Sequence, residues 1–132
     1  MTIEDNIRFA DDAHKAFYME YSQKLKPDVY LRSLIYTLGI CHDTRRNFHS
    51  IYDGSKREII PGAICQPWQT GSSLKATRLA FQLFTGTTPT AFMGNEDDIY
   101  ECMRYSVSDI FCCSYAPYFF VAINLRYHEY FY

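Results

Sequence analysis

The sequence predicts an all-α protein: a compact single domain, residues 1–132, of about five or six short helices with irregular connections. Three observations carry this. Apolar residues recur at three- and four-residue spacing through the longest segments, with Asp or Ser at their starts and Gly or Pro at their ends. The chain has 132 residues and is 48% hydrophobic and 21% charged, enough apolar material for one core. No internal repeat, linker or low-complexity tract divides it.

In chain order, Phe9, Ala13, Phe17, Tyr21 and Leu25 recur every fourth residue and line one face of a first helix that ends before Pro27. Asp28 reads as the N-cap of a second helix, with Val29, Leu31, Leu34, Ile35 and Leu38 inward and Gly39 as its stop. Asp43 is the expected cap of a third, shorter helix through Phe48, Ile51 and Tyr52, closed by the turn Asp53-Gly54-Ser55. Residues 56–70 are expected to be irregular, with turns at Pro61-Gly62 and Gln66-Pro67-Trp68. Ser72 or Ser73 should then cap a strongly periodic helix carrying Ala76, Leu79, Ala80, Leu83 and Phe84, with Gly86 just past its end. A polar loop is expected over 87–98. The run Asp98–Tyr105 is ambiguous between strand and helix, because periodicity does not decide short apolar segments. Ser108 is the expected cap of a short turn through Ile110 and Phe111. Pro117 suits the first position of a last helix with Phe119, Phe120, Ile123 and Tyr127 as its buried stripe.

Charge is unevenly distributed about a net −2. Residues 1–30 and 79–132 are acidic, whereas 31–78 hold seven basic groups against Asp43, Asp53 and Glu58. Such segregation suits a polar partner face, but a pI near 6.0 argues against direct nucleic-acid binding. The uncharged stretch Cys112–Leu125 is too short and too polar to span a bilayer, and Met1–Glu20 has no apolar h-region. Five cysteines, an odd set without a secretory signal, point to free thiols and a reducing cytoplasm. The 12 Tyr and 10 Phe fit an amphipathic helical core, with Tyr also favoured at binding surfaces.

No motif amounts to a catalytic constellation. Ser72-Ser73-Leu74-Lys75 matches S-x-x-K, in which a lysine activates a serine, but the companion motifs of those enzymes are missing and a serine there also suits a helix cap. A Cys41–His42 dyad is geometrically poor because neighbouring residues point apart. A zinc site assembled from Cys41, His42, Cys65, Cys112 and Cys113 would supply the N/S ligands zinc prefers, although no C-x₂₋₄-C spacing occurs. Cys112-Cys113 is not a redox motif, and a vicinal disulfide would be strained. His14, His49 and His128 each lie alone and are expected at the solvated surface. Arg45 and Arg46 are expected in the first turns of a helix, where the macrodipole disfavours cations, which implies a carboxylate or ligand partner. Trp68 is either a core plug or an interface anchor. Asp43, Arg45, Arg46, Trp68, Thr70 and Arg78 are the candidate partner-binding residues.

Several segments together resemble a known family. They are Leu34-Ile35-Tyr36-Thr37-Leu38-Gly39, Asp43-Thr44-Arg45-Arg46, Trp68-Gln69-Thr70-Gly71-Ser72 with Thr77-Arg78-Leu79-Ala80-Phe81, and Phe111-Cys112-Cys113-Ser114-Tyr115-Ala116-Pro117-Tyr118-Phe119 with Leu125-Arg126-Tyr127. In this order the chain is similar to an uncharacterised family of small proteins, a domain of unknown function, from low-GC Gram-positive bacteria and their phages and mobile elements. Family members often have proline where this chain has His128. The resemblance implies genomic company rather than chemistry, and no catalytic residue is carried over. Small accessory proteins of such elements commonly bind and disable host machinery, and anti-CRISPR proteins that inhibit Cas9 are similar in size and single-domain form. The expectation is therefore a non-catalytic inhibitor of a host or Cas protein, with the Cas9–guide RNA complex as the specific case. The alternative is a small zinc-binding or thiol-dependent protein built on Cys41, His42 and Cys65.

Overall fold

A computed structural model of the chain describes residues 6–91 and 96–130, and these are mostly helical. The elements are α1 (Asp12–Leu25), α2 (Val29–Ile40), α3 (His42–Arg46), α4 (Phe48–Ile51), a two-stranded antiparallel ladder of β1 (Tyr52–Asp53) and β2 (Glu58–Ile59), a 3₁₀ turn (Pro61–Cys65), α5 (Gly71–Thr85), α6 (Glu96–Met103), α7 (Val107–Phe111), α8 (Ala116–Arg126) and a final 3₁₀ turn (His128–Tyr130). None of the described helices is long and apolar enough to cross a membrane. Residues 92–95 of the expected polar loop lie outside the described residues.

The architecture is organised around α2. Asp28 caps it by accepting from the Leu31 N–H at 2.9 Å, as the sequence predicts. Leu31 and every residue from Ser33 to Ile40 are buried, and α1, α3, α5 and α8 all pack against this helix. From Ser33 onward the helix is covered on all sides and has no face for polar groups, so Ser33 and Thr37 turn their hydroxyls onto the carbonyls of Tyr30 and Ser33, while Val29 in the first turn is exposed rather than inward. Gly39 is not its stop but a close-packing position inside it. A Cβ there would lie 2.7 Å from Phe17 and 2.8 Å from the ring of His14.

Helix α1 starts later than Phe9. Asp11 is the cap, accepting from the His14 N–H at 2.7 Å, and Lys26 ends the helix in the left-handed conformation just before Pro27. The buried face is consequently His14, Phe17 and Tyr18 rather than Ala13, which is exposed. His14 overturns its expected surface position: the ring is fully buried, with Nδ1 accepting the Ala10 N–H and Nε2 donating to the Tyr36 carbonyl. Tyr36 is itself buried and donates its hydroxyl to the Arg8 carbonyl at 2.5 Å.

The third helix of the sequence reading is broken in two. Asn47 separates α3 from α4, Cys41 rather than Asp43 precedes α3, and the Thr44 hydroxyl donates to the Leu38 carbonyl, folding the chain back on the end of α2. The stretch read as irregular from residue 56 contains β2 and a 3₁₀ turn, and Asp53 shapes the hairpin by accepting from the Ser55 and Lys56 N–H groups. Helix α5 begins one turn earlier than Ser73. Thr70 is its cap, and Ser73 completes a capping box by accepting the Thr70 N–H at 2.7 Å. Gly86 closes α5 in the left-handed conformation, with φ of 74°.

Asp98–Tyr105 contributes to a helix, α6, not a strand. Ser106, not Ser108, caps α7, and Pro117 sits in the first turn of α8 after Ala116. On α8, Phe119, Ala122 and Leu125 are buried, while Phe120 points outward beside Phe111. The buried apolar side chains of α1, α2, α4, α5, α7 and α8 join in one cluster. Each large side chain removed from water there contributes on the order of 1.5–3 kcal/mol.

Candidate interaction surface

The candidate partner-binding residues divide into structural members and exposed ones. Arg45 lies in the last turn of α3, not in a first turn, so the dipole penalty does not arise. Its Nη1 donates to the Gly39 carbonyl at 2.7 Å and lies 4.0 Å from Asp11, which ties α3 to the end of α2 and the start of α1. Asp43 lies 3.8 Å from the exposed His42 ring, and its backbone carbonyl receives the Asn47 side chain. Arg46 is exposed.

Trp68 is half-buried against the core, and Thr70 serves as the α5 cap. Between them, Gln69 donates to the Ala63 carbonyl and the Thr77 hydroxyl and accepts from the Ser73 hydroxyl at 2.5 Å. The Trp68-Gln69-Thr70-Gly71-Ser72 segment is thus the fastening of the 3₁₀ turn to α5. The S-x-x-K lysine follows the same logic: the Lys75 ammonium donates to the Asp109 carbonyl on α7.

Arg78 is paired. Its Nε meets Glu101 Oε1 at 2.6 Å, with the two side chains only 12% and 11% exposed. This pair clips α6 onto α5, and two further contacts hold the same region: Tyr105 donates to the Pro89 carbonyl at 2.5 Å, and Thr90 donates to Asp98. Burial pushes the Tyr105 phenol upward in pKa.

The five residues read as a possible zinc set are not brought together. Cys41 is buried at the end of α2, whereas His42, Cys65 and Cys112 are exposed on separate segments. Among the described residues no three His, Cys, Asp or Glu side chains are grouped to hold a metal ion. Cys41 instead contacts Tyr115, whose phenol is pushed up to about 12 by burial first and then by its hydrogen bond with Cys41. Cys113 leans on the Ile110 carbonyl, and all five cysteines are free thiols.

The surface feature that sequence reasoning missed is on α6. Ile99, Tyr100 and Met103 share one face of the helix and are 68%, 66% and 62% exposed. Val107, at the start of α7, is 74% exposed and borders a groove of about 270 Å³ between α5, α7 and α8. The spacing of 99, 100 and 103 was readable, but amphipathicity alone assigns such a face to the core. Its exposure follows because the other side of α6 is occupied by the Arg78–Glu101 and Cys102–Thr88 contacts.

No curated protein and no solved structure matches the chain. A family model does match, over residues 4–132, and its description is a family of unknown function (DUF6075). The match spans nearly the whole sequence, and the chain belongs to that family.

Proposed function

We propose that this protein is a non-catalytic binding protein that inhibits its target by covering part of the target's surface. The observation that carries this reading is the exposed apolar face of α6, Ile99, Tyr100 and Met103, with Val107 also exposed at the start of α7. Adjacent exposed apolar side chains of this size mark interaction surfaces, with aromatic and Met residues as favoured anchors. The first turn of the helix also carries Glu96 and Asp97 in its sequence, within an acidic C-terminal segment, whereas Asp98 and Glu101 are held by Thr90 and Arg78. The complementary surface is therefore basic with apolar pockets.

The specific target we propose is a Cas9–guide RNA complex. Such effectors hold their guide heteroduplex in a positively charged channel, a surface suited to an acidic helix with an apolar ridge. The proposal also rests on the likeness in size and single-domain form to Cas9 inhibitors, and places the protein in the cytoplasm of low-GC Gram-positive hosts of phages and mobile elements.

The test is a DNA cleavage assay with purified Cas9–guide complex, supported by retention of that complex on the immobilised protein. Inhibition by the wild type and its loss in the Ile99→Asp/Met103→Asp variant supports the reading. Full inhibition by that variant removes α6 as the contact, and neither inhibition nor retention by the wild type removes Cas9. Arg46→Glu, at an exposed position of the basic segment, reports whether that side contributes as well.

A further inference from the structure

We infer that the cleft between α5, α6 and α7 binds the phosphate group of a small phosphate monoester. This site is separate from the apolar face of α6 and does not depend on the reading given for it. The cleft has a volume of about 410 Å³ and is lined by Gly71, Lys75 and Arg78 of α5, Glu101 at the α6 wall, Arg104, and Asp109 of α7. In a protein of net charge −2 it gathers three cations against two carboxylates.

Both carboxylates pair with cations of the cleft itself, so the uncompensated charge is that of Lys75. Glu101 is held by Arg78 at 2.6 Å, and Asp109 accepts the Ser106 hydroxyl at 2.9 Å while keeping Arg104 only loosely, at 3.8 Å. The half-buried Lys75 ammonium donates to the Asp109 backbone carbonyl, and among the described residues no carboxylate pairs with it. An ammonium has three N–H donors, so the protein carbonyl leaves donors for an anion.

The wall nearest Lys75 is the start of α5, a helix of 15 residues whose first residue is Gly71. The positive end of its macrodipole adds to the charge of Lys75 and Arg104. A Cβ at Gly71 would meet nothing within 4 Å, so the backbone there is open to an approaching group. Mixed Lys, Arg and backbone donors suit a tetrahedral dianion with several acceptor oxygens better than a planar carboxylate. The cleft is also much larger than a bare oxyanion, leaving room for the organic part of an ester.

Gly71→Asp separates binding from structure. A Cβ at the first position of α5 meets no neighbour and a carboxylate there complements the helix dipole, so the melting temperature should hold or rise. The same carboxylate repels an anion in the cleft. The experiment is titration of the protein at low ionic strength with AMP, inorganic phosphate and adenosine as probes, followed by calorimetry and by backbone amide NMR. AMP should bind saturably, shift the amides of Gly71 and Lys75, and bind more tightly than inorganic phosphate. Gly71→Asp and Arg104→Glu should each weaken AMP by about tenfold or more. Adenosine binding as tightly as AMP overturns the phosphate assignment, and inorganic phosphate equal to AMP overturns the monoester. No saturable shift, or an unchanged affinity in Gly71→Asp, overturns the site.

Discussion

Lowering the pH from 7 to 5 should weaken the fold through His14. Its ring is fully buried, its Nδ1 must stay unprotonated to accept the Ala10 N–H at 3.0 Å, and its Nε2–H already donates to the Tyr36 carbonyl at 2.8 Å. A second proton would break the Ala10 bond and place a charge among the rings of Phe9 and Tyr36. Burial accordingly lowers the imidazole from 6.5 to about 4, overriding the opposing pull of the Tyr36 carbonyl. The folded pKa lies below the unfolded one, so the neutral form belongs to the fold. The contribution is fully present above the unfolded value and is lost as pH falls toward the folded one. At 1.36 kcal/mol per unit, this residue removes about 2 kcal/mol by pH 5 and about 3 kcal/mol below pH 4. Against a usual total of about 5–15 kcal/mol, that is a large fraction. Urea denaturation at pH 7, 6 and 5, run on the wild type and on His14→Gln, isolates the effect, since carboxylates titrate in both proteins. The wild type should lose more stability than the variant across this range. Parallel losses in the two proteins would refute the argument, as would an NMR titration of the His14 ring with a midpoint near 6.5; that second readout needs no variant to fold.

Further expectations concern the packing and the clips. Gly39→Ala gains about 1 kcal/mol of helix propensity but forces a methyl against Phe17 and His14, rings held by other contacts, so overpacking of about 1–3 kcal/mol should dominate and lower the denaturation midpoint. Thr70→Ala removes the α5 cap and should cost about 1 kcal/mol in the same assay. Glu101→Gln leaves the nearly buried Arg78 without its counter-charge and should cost about 3 kcal/mol, whereas Arg78→Met combined with Glu101→Leu should recover most of that loss. Equal stabilities of the single and double variants would show that the pair is not a buried clip.

What could be read beforehand was local. Asp28 before an apolar run, Gly86 after one and the apolar spacing of α5 are decided by backbone chemistry within a turn or two, and the structure agrees at each. The errors are tertiary overrides. Gly39 looks like a terminator until another helix presses against it, and His14 looks like a surface residue until its two ring nitrogens find partners, one of them 22 positions away. Arg45 was singled out for its expected place in the first turn of a helix and Arg78 as a candidate contact residue, and their partners come from α2, α1 and α6. The polar candidates of 68–75 turned out to fasten helices together. The exposed ridge on α6 was invisible because its spacing is that of any core-facing helix, and only packing reveals which side faces out.

The enclosure of α2 bears on how the protein opens. Outer helices can detach or fray individually, but the amide hydrogens of Leu34–Leu38 are reached only when the surrounding layers separate together. Their exchange with solvent deuterium should be the slowest in the chain and should follow global unfolding, while α6 exchanges through smaller openings. A peptide cut from the periphery would keep its sequence but lose the rod that gives it shape.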